Sequence, residues 1–122
     1  MQQKGLIPSI SADEQKGIET CFVVENSTDL LFLKYLQDLI FRRYREMPEG
    51  SYTTSLFRQG VNRMAQKVGE EAVETVIEAT NGTREGFISE ASDLLYHLIV
   101  LLVGKGLGLE DLIRELKKRH KV

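Results

Sequence analysis

The sequence predicts an all-α domain, a bundle of four to five helices. Two observations carry that reading. From residue 29 onward apolar residues recur at the i, i+3, i+4, i+7 spacing of helices, and the periodic stretches are separated by short clusters of cap and breaker residues. After residue 25 no run with strand period reaches a useful length. The chain has 122 residues, 42% of them hydrophobic, so it is of single-domain length and can bury a core.

Residues 1–28 read as an extended, partly mobile lead-in, because Met1 to Lys16 is polar without sustained period and Cys21-Phe22-Val23-Val24 is only a short apolar run. Asn26-Ser27-Thr28-Asp29 then offers several N-cap residues before a helix over 30–47. Leu31, Phe32, Leu33, Tyr35, Leu36, Leu39, Ile40, Phe41 and Tyr44 cover more of it than one buried stripe needs, an excess that fits a second subunit. Pro48 and Gly50 end it. Residues 51–55 read as a loop entering a short helical turn through Arg58, capped by Thr53 or Thr54.

The next helix spans 61–79, with Val61, Met64, Ala65, Val68, Ala72, Val76 and Ala79 as its buried face. Lys67, Glu71, Glu74 and Glu78 form a neighbouring strip. Asn81-Gly82 ends this helix in a dipeptide suited to the left-handed region, and Thr83 caps the following one, 84–103. That helix is apolar nearly all round from Leu94 to Val103, which makes it central. Gly104-Lys105-Gly106 breaks it. A last helix, 109–119, has a stripe of Leu109, Leu112, Ile113 and Leu116, with acids at its start and bases at its end, the order that suits the helix dipole.

A net charge of -2 gives no whole-molecule drive toward nucleic acid or an anionic membrane. The single cysteine, Cys21, excludes an intrachain disulfide framework. No run approaches the roughly 18 apolar residues of a membrane span, and no signal-peptide apolar region opens the chain. The cytoplasm is the expected compartment.

The chemistry lies in two acidic pairs. Glu71 with Glu74, and Glu90 with Asp93, are each three residues apart and so share a helix face. One such pair is weak, because exposed helices carry them routinely. Two on consecutive core helices joined by a short turn make facing claws that repel unless a cation lies between them. Oxygen-only ligands suit Mg²⁺, which typically joins carboxylates to substrate phosphates. Glu70 is a further candidate ligand, and Glu78 reads as a solvated continuation of the strip. Lys67 has two readings, an ordinary i, i+4 partner of Glu71 or a phosphate contact, with Arg63 and Arg58 weaker candidates of the second kind. His97, one turn after Asp93, is either a partner of that carboxylate or a satisfied core histidine. Ser51, Tyr52 and Thr53 are either a phosphate-binding loop or a cap and turn.

Taken together, Ser51-Tyr52-Thr53, Gln66-Lys67-Val68-Gly69-Glu70-Glu71-Ala72-x-Glu74, Glu90-Ala91-Ser92-Asp93-Leu94-x-Tyr96-His97-Leu98 and Leu116-Lys117-Lys118-Arg119-His120 resemble the phosphoribosyl-ATP pyrophosphohydrolases of histidine biosynthesis, over about residues 30–121. The resemblance implies a MazG-like all-α fold, an interleaved homodimer, Mg²⁺ on Glu71, Glu74, Glu90 and Asp93, and hydrolysis of phosphoribosyl-ATP to phosphoribosyl-AMP and pyrophosphate. In that reaction a water attacks the α-phosphorus, while Lys67 and Arg63 add positive charge. Glu19-Thr20-Cys21-Phe22 resembles the end of a phosphoribosyl-AMP cyclohydrolase domain without its companion zinc cysteines, so residues 1–28 are expected to be the remnant of a preceding domain and 29–122 the pyrophosphohydrolase domain. Two rival readings are a general NTP or dNTP pyrophosphatase of the same superfamily and a non-catalytic helical dimer module.

Overall fold

The computed structural model describes residues 12–120, with side chains from residue 28. Five helices follow one another: α1 (Ala12–Glu46), α2 (Tyr52–Gln59), α3 (Val61–Asn81), α4 (Arg84–Gly104) and α5 (Leu109–Arg119), with no strand among the described residues. All-α is therefore the fold class. The chain divides into two compact units, residues 1–35 and 36–122. In the first, the described side chains include Leu30, Leu31, Phe32 and Tyr35, all exposed, with the Phe32 and Tyr35 rings 5.7 Å apart.

The extended lead-in is corrected from Ala12 onward, because α1 begins there and runs through the residues expected to cap it. No glycine or proline lies between Ile18 and Met47. A helix continuing through Asn26, Ser27 and Thr28 gives up only a few tenths of a kcal/mol per residue in propensity, whereas a new start would leave several N–H groups unpaired. The side chain of Cys21 lies outside the described ones. Residues 51–58 are also corrected: Ser51, not Thr53 or Thr54, is the N-cap, its Oγ accepting from the Thr54 N–H at 3.2 Å, and Tyr52 already belongs to α2.

Gly60 joins α2 to α3 at φ 94°, a conformation that glycine adopts without steric cost. Only Gly82 and Thr83 separate α3 from α4. Thr83 caps α4 as expected, its hydroxyl accepting from Gly86 N–H at 2.9 Å. Gly82, however, is extended (φ -103°, ψ -159°) and not left-handed. Glycine is required there by proximity, since a Cβ would lie 2.9 Å from the Glu78 Cα. At the start of α5, Gly108 N–H donates to Asp111 Oδ2 at 2.9 Å and Leu109 N–H to Gln37 Oε1 at 2.6 Å, so a buried side chain of α1 caps α5.

The core of the second unit is Ile40, Leu56, Met64, Ile99, Val100 and Val103, with Leu36, Phe57, Tyr96, Leu101 and Leu109 packed against it. Helices α3 and α4 lie against each other along much of their length. The expected buried face of α3 is corrected: Val61, Ala65, Val76 and Ala79 are exposed, and the residues α3 buries are Met64 and Glu71. One neighbouring helix covers one strip, and α4 covers the strip that carries the carboxylates. Helix α4 is itself long and apolar enough, by length and composition, to cross a membrane, and much of it is exposed within one chain. That modifies the expectation that no run approaches such a span. Its Glu90 and Asp93 meet the acids of α3, as described next, which marks it as a site-bearing core helix.

Candidate active site

The α3–α4 pairing brings the two claws together. Glu71, Glu90 and Asp93 each offer an oxygen, and these atoms lie within 4.8 Å of one another. Glu71 is only 7% exposed. Its Oε1 and that of Glu90 are buried and have no hydrogen-bond partner among the described residues. Glu74 is exposed and lies outside that three-residue group, but its carboxyl beside Glu90, together with burial and the Glu71 carboxyl, pushes the Glu90 pKa up to about 7. Glu90 thereby keeps a proton into the neutral range unless positive charge arrives. The donors are all hard oxygens and two are orphaned, so the set fits Mg²⁺ on its chemistry.

A cationic edge runs one turn earlier along α3. Lys67 Nζ is 3.4 Å from Glu71 Oε2 and 3.3 Å from Glu70 Oε1. Burial lowers the Lys67 pKa, and the Glu70 and Glu71 carboxylates outweigh that and leave it raised. Glu70 faces this edge: Gln66 Nε2 donates to it at 2.8 Å, and Arg63 Nη1 is 3.8 Å away. Gln66, Lys67 and Arg63 together hold its carboxyl below the usual range. Glu70 is thus already partnered and stands outside the three-carboxylate group. Glu78 also departs from the strip; a Cβ on Gly82 or Gly86 would lie 2.0 or 2.1 Å from its Oε1, which places that carboxylate against the first turn of α4, where helix-dipole charge favours an anion.

His97 is buried on the far side of Asp93 and meets its backbone, not its carboxylate. Its Nδ1 is 2.8 Å from the Asp93 carbonyl oxygen, which only accepts, so Nδ1 carries the hydrogen. In the neutral ring Nε2 then accepts from the Tyr52 hydroxyl, 3.0 Å away. Tyr52 is thereby tied to the claw-bearing helix. Ser51 caps α2 and accepts from Arg43 Nη1 at 3.2 Å, while the buried Thr53 hydroxyl pairs with that of Tyr96. Ser51 and Tyr52 thus line one groove at the start of α2, while Thr53 turns inward to Tyr96. Arg43 and Tyr96 carry no local sequence signal for these contacts; only the fold brings them near.

The phosphoribosyl-ATP pyrophosphohydrolase family matches residues 33–120, which include all four carboxylates and the α2 segment. Three relatives carry the name histidine biosynthesis bifunctional protein HisIE. The one from Bacteroides thetaiotaomicron is 62% identical over 104 residues, covering 85% of this chain and 51% of that protein. The Vibrio cholerae protein is 44% identical over 107 residues, with 86% and 51% covered. The Bacillus subtilis protein is 46% identical over 109 residues, with 85% and 52% covered. The chain spans about half the length of the curated relatives it matches. A match over most of the chain, on a fold that assembles the acidic claws, establishes membership: the chain belongs to the phosphoribosyl-ATP pyrophosphohydrolase family.

Proposed function

We propose that this chain hydrolyses phosphoribosyl-ATP to phosphoribosyl-AMP and pyrophosphate in the histidine pathway, in the cytoplasm, with Mg²⁺ held by Glu71, Glu74, Glu90 and Asp93. The observation that carries the reading is the pair of buried, unpartnered oxygens on Glu71 and Glu90 beside Asp93. Such a set leaves protein carboxylates short of positive charge and hydrogen bonds, which a cation with its waters supplies. Bound there, Mg²⁺ would contribute Lewis-acid stabilisation of phosphate oxygens and lower the pKa of a coordinated water.

The remaining roles belong to the chain's own residues. One carboxylate of the set is suited to take up the proton released when water attacks the α-phosphorus. Lys67, fixed between Glu70 and Glu71, presents an ammonium at the edge of the carboxylate centre where the departing pyrophosphate gains charge. Arg63 is held on the same edge by Glu70. His97 and Tyr52 set the backbone of Asp93 and tie α2 to it.

The proposal extends to a homodimer. Val73, Val76, Ile77, Phe87, Ile88 and Leu95 on α3 and α4 are exposed within one chain, more apolar helix surface than a monomer ordinarily leaves in water. Substitution tests the site: Glu71→Gln and Asp93→Asn should keep the helical circular-dichroism signal and lose most pyrophosphate release. A fully active Asp93→Asn protein would remove the second claw from the mechanism.

A further inference from the structure

An open groove of about 570 Å³ lies along α2, its lining including Ser51, Tyr52, Thr54, Ser55, Arg58 and Gln59. That size lies in the range of small-molecule sites. Its walls combine apolar surface with hydroxyl side chains and the Arg58 guanidinium at the first turn of α2, where Ser51 Oγ already takes the Thr54 N–H and helix-dipole charge favours an anion. Thr54 adds an independent observation. It is 2% exposed, it lines the groove, and its Oγ1 finds no hydrogen-bond partner among the described residues. A buried hydroxyl left unsatisfied is costly, and such groups mark places where a ligand or water supplies the missing partner.

Two guanidinium groups are at hand. Arg58 Nη2 is 3.1 Å from Glu49 Oε2, but both side chains are largely exposed, and a surface pair of that kind is weakly held and open to exchange for a doubly charged phosphate. Arg43 donates to Ser51 Oγ and so stands at the groove's rim. Tyr52 links this groove to the carboxylate centre: it lines the first, and its hydroxyl reaches His97, which holds the Asp93 backbone. An anion in the groove would thus sit beside a substrate whose other end lies on the claws.

We propose that the α2 groove binds the phosphate monoester of the substrate's phosphoribosyl arm, with Thr54 and Arg58 as its specificity residues. The choice of substrate rests on the function proposed above, whereas the phosphate-ester chemistry rests on the groove itself. A nucleotide without the second phosphate leaves both residues unanswered, and a site built around such contacts discriminates strongly against a substrate lacking them.

The test uses Thr54→Val and Arg58→Gln in the full chain. Each should raise KM for phosphoribosyl-ATP roughly tenfold, the loss of one hydrogen bond to a charged group, with a much smaller change in kcat. Thr54→Val should melt no lower than the parent, because the hydroxyl it removes has no partner; a purely structural threonine would leave KM unmoved. Titration of ribose 5-phosphate, with ribose as control, should shift the α2 amide resonances of the parent protein and not those of Arg58→Gln. Unchanged KM in both variants, or α2 amides indifferent to ribose 5-phosphate, overturns the assignment. Should the parent release no pyrophosphate, the proposed reaction fails separately, and the ribose 5-phosphate titration alone decides the groove.

Discussion

Glu90 is where the electrostatics of the site can be read most directly. Its folded pKa of about 7 stands above the ordinary 4.5 because Glu74 and Glu71 crowd it and burial disfavours its charge. Between those values the folded protein holds a proton that the unfolded chain has released, so the group's stabilising contribution is present below about pH 4.5 and is lost as pH rises through 7. Thermal melts in EDTA should accordingly fall between pH 5.5 and pH 8, and Mg²⁺ should recover most of the loss at pH 8 by binding the folded state alone. Glu90→Gln should flatten that slope while removing activity; a slope unchanged by the substitution would place its origin elsewhere. At this scale the claws were legible, because i, i+3 spacing places carboxylates on one face whatever the tertiary details. The partnering of Glu70 by Arg63, Gln66 and Lys67 was not, since a helical neighbour's rotamer decides it. Nor was the orientation of His97 toward the Asp93 backbone, which depends on Tyr52 arriving from α2.

Helix ends show why some elements were legible and others were not. The spans 61–79, 84–103 and 109–119 agree closely with α3, α4 and α5, because Gly60, Thr83 and the Gly104-Lys105-Gly106 break act locally. The first half of α2 read as a loop entering a helical turn, because its eight residues hold only two apolar core anchors, Leu56 and Phe57, too few to show a period. The start of α1 was misplaced because cap residues permit a helix start without forcing one. Two glycines separate conformational need from packing need. Gly82→Ala should destabilise by about 1–3 kcal/mol, since its Cβ meets the Glu78 backbone as well as its carboxylate. Gly104→Ala should cost less, because its Cβ is crowded only by the flexible end of Met64, at 2.8 Å, with Phe57 at an ordinary 3.8 Å, and alanine recovers about 1 kcal/mol of helix propensity. Denaturant titration of both variants checks the order, and a reversed order would contradict the packing assigned to the α3–α4 turn.

For the whole molecule, the apolar surface left on α3 and α4 is the part that one chain cannot explain. Periodicity along α3 marked Val61, Val76 and their neighbours as the buried face, but these residues are exposed within one chain, because periodicity groups residues on a strip without saying which strip a neighbouring helix covers. Sedimentation should find a dimer at micromolar concentration, and Val76→Asp with Ile77→Asp should shift it toward monomer. A monomeric parent protein would leave that face without the partner proposed for it. The central claim is that the carboxylate centre of α3 and α4 directs a divalent cation onto the triphosphate of phosphoribosyl-ATP. Its most direct test is pyrophosphate release from phosphoribosyl-ATP, ATP and dNTPs in parallel, each with Mg²⁺ and with excess EDTA. Phosphoribosyl-ATP should release pyrophosphate with Mg²⁺ and not with EDTA, and the simple nucleotides should turn over little. Equal turnover of ATP or dNTPs, or release that survives EDTA, would contradict that claim.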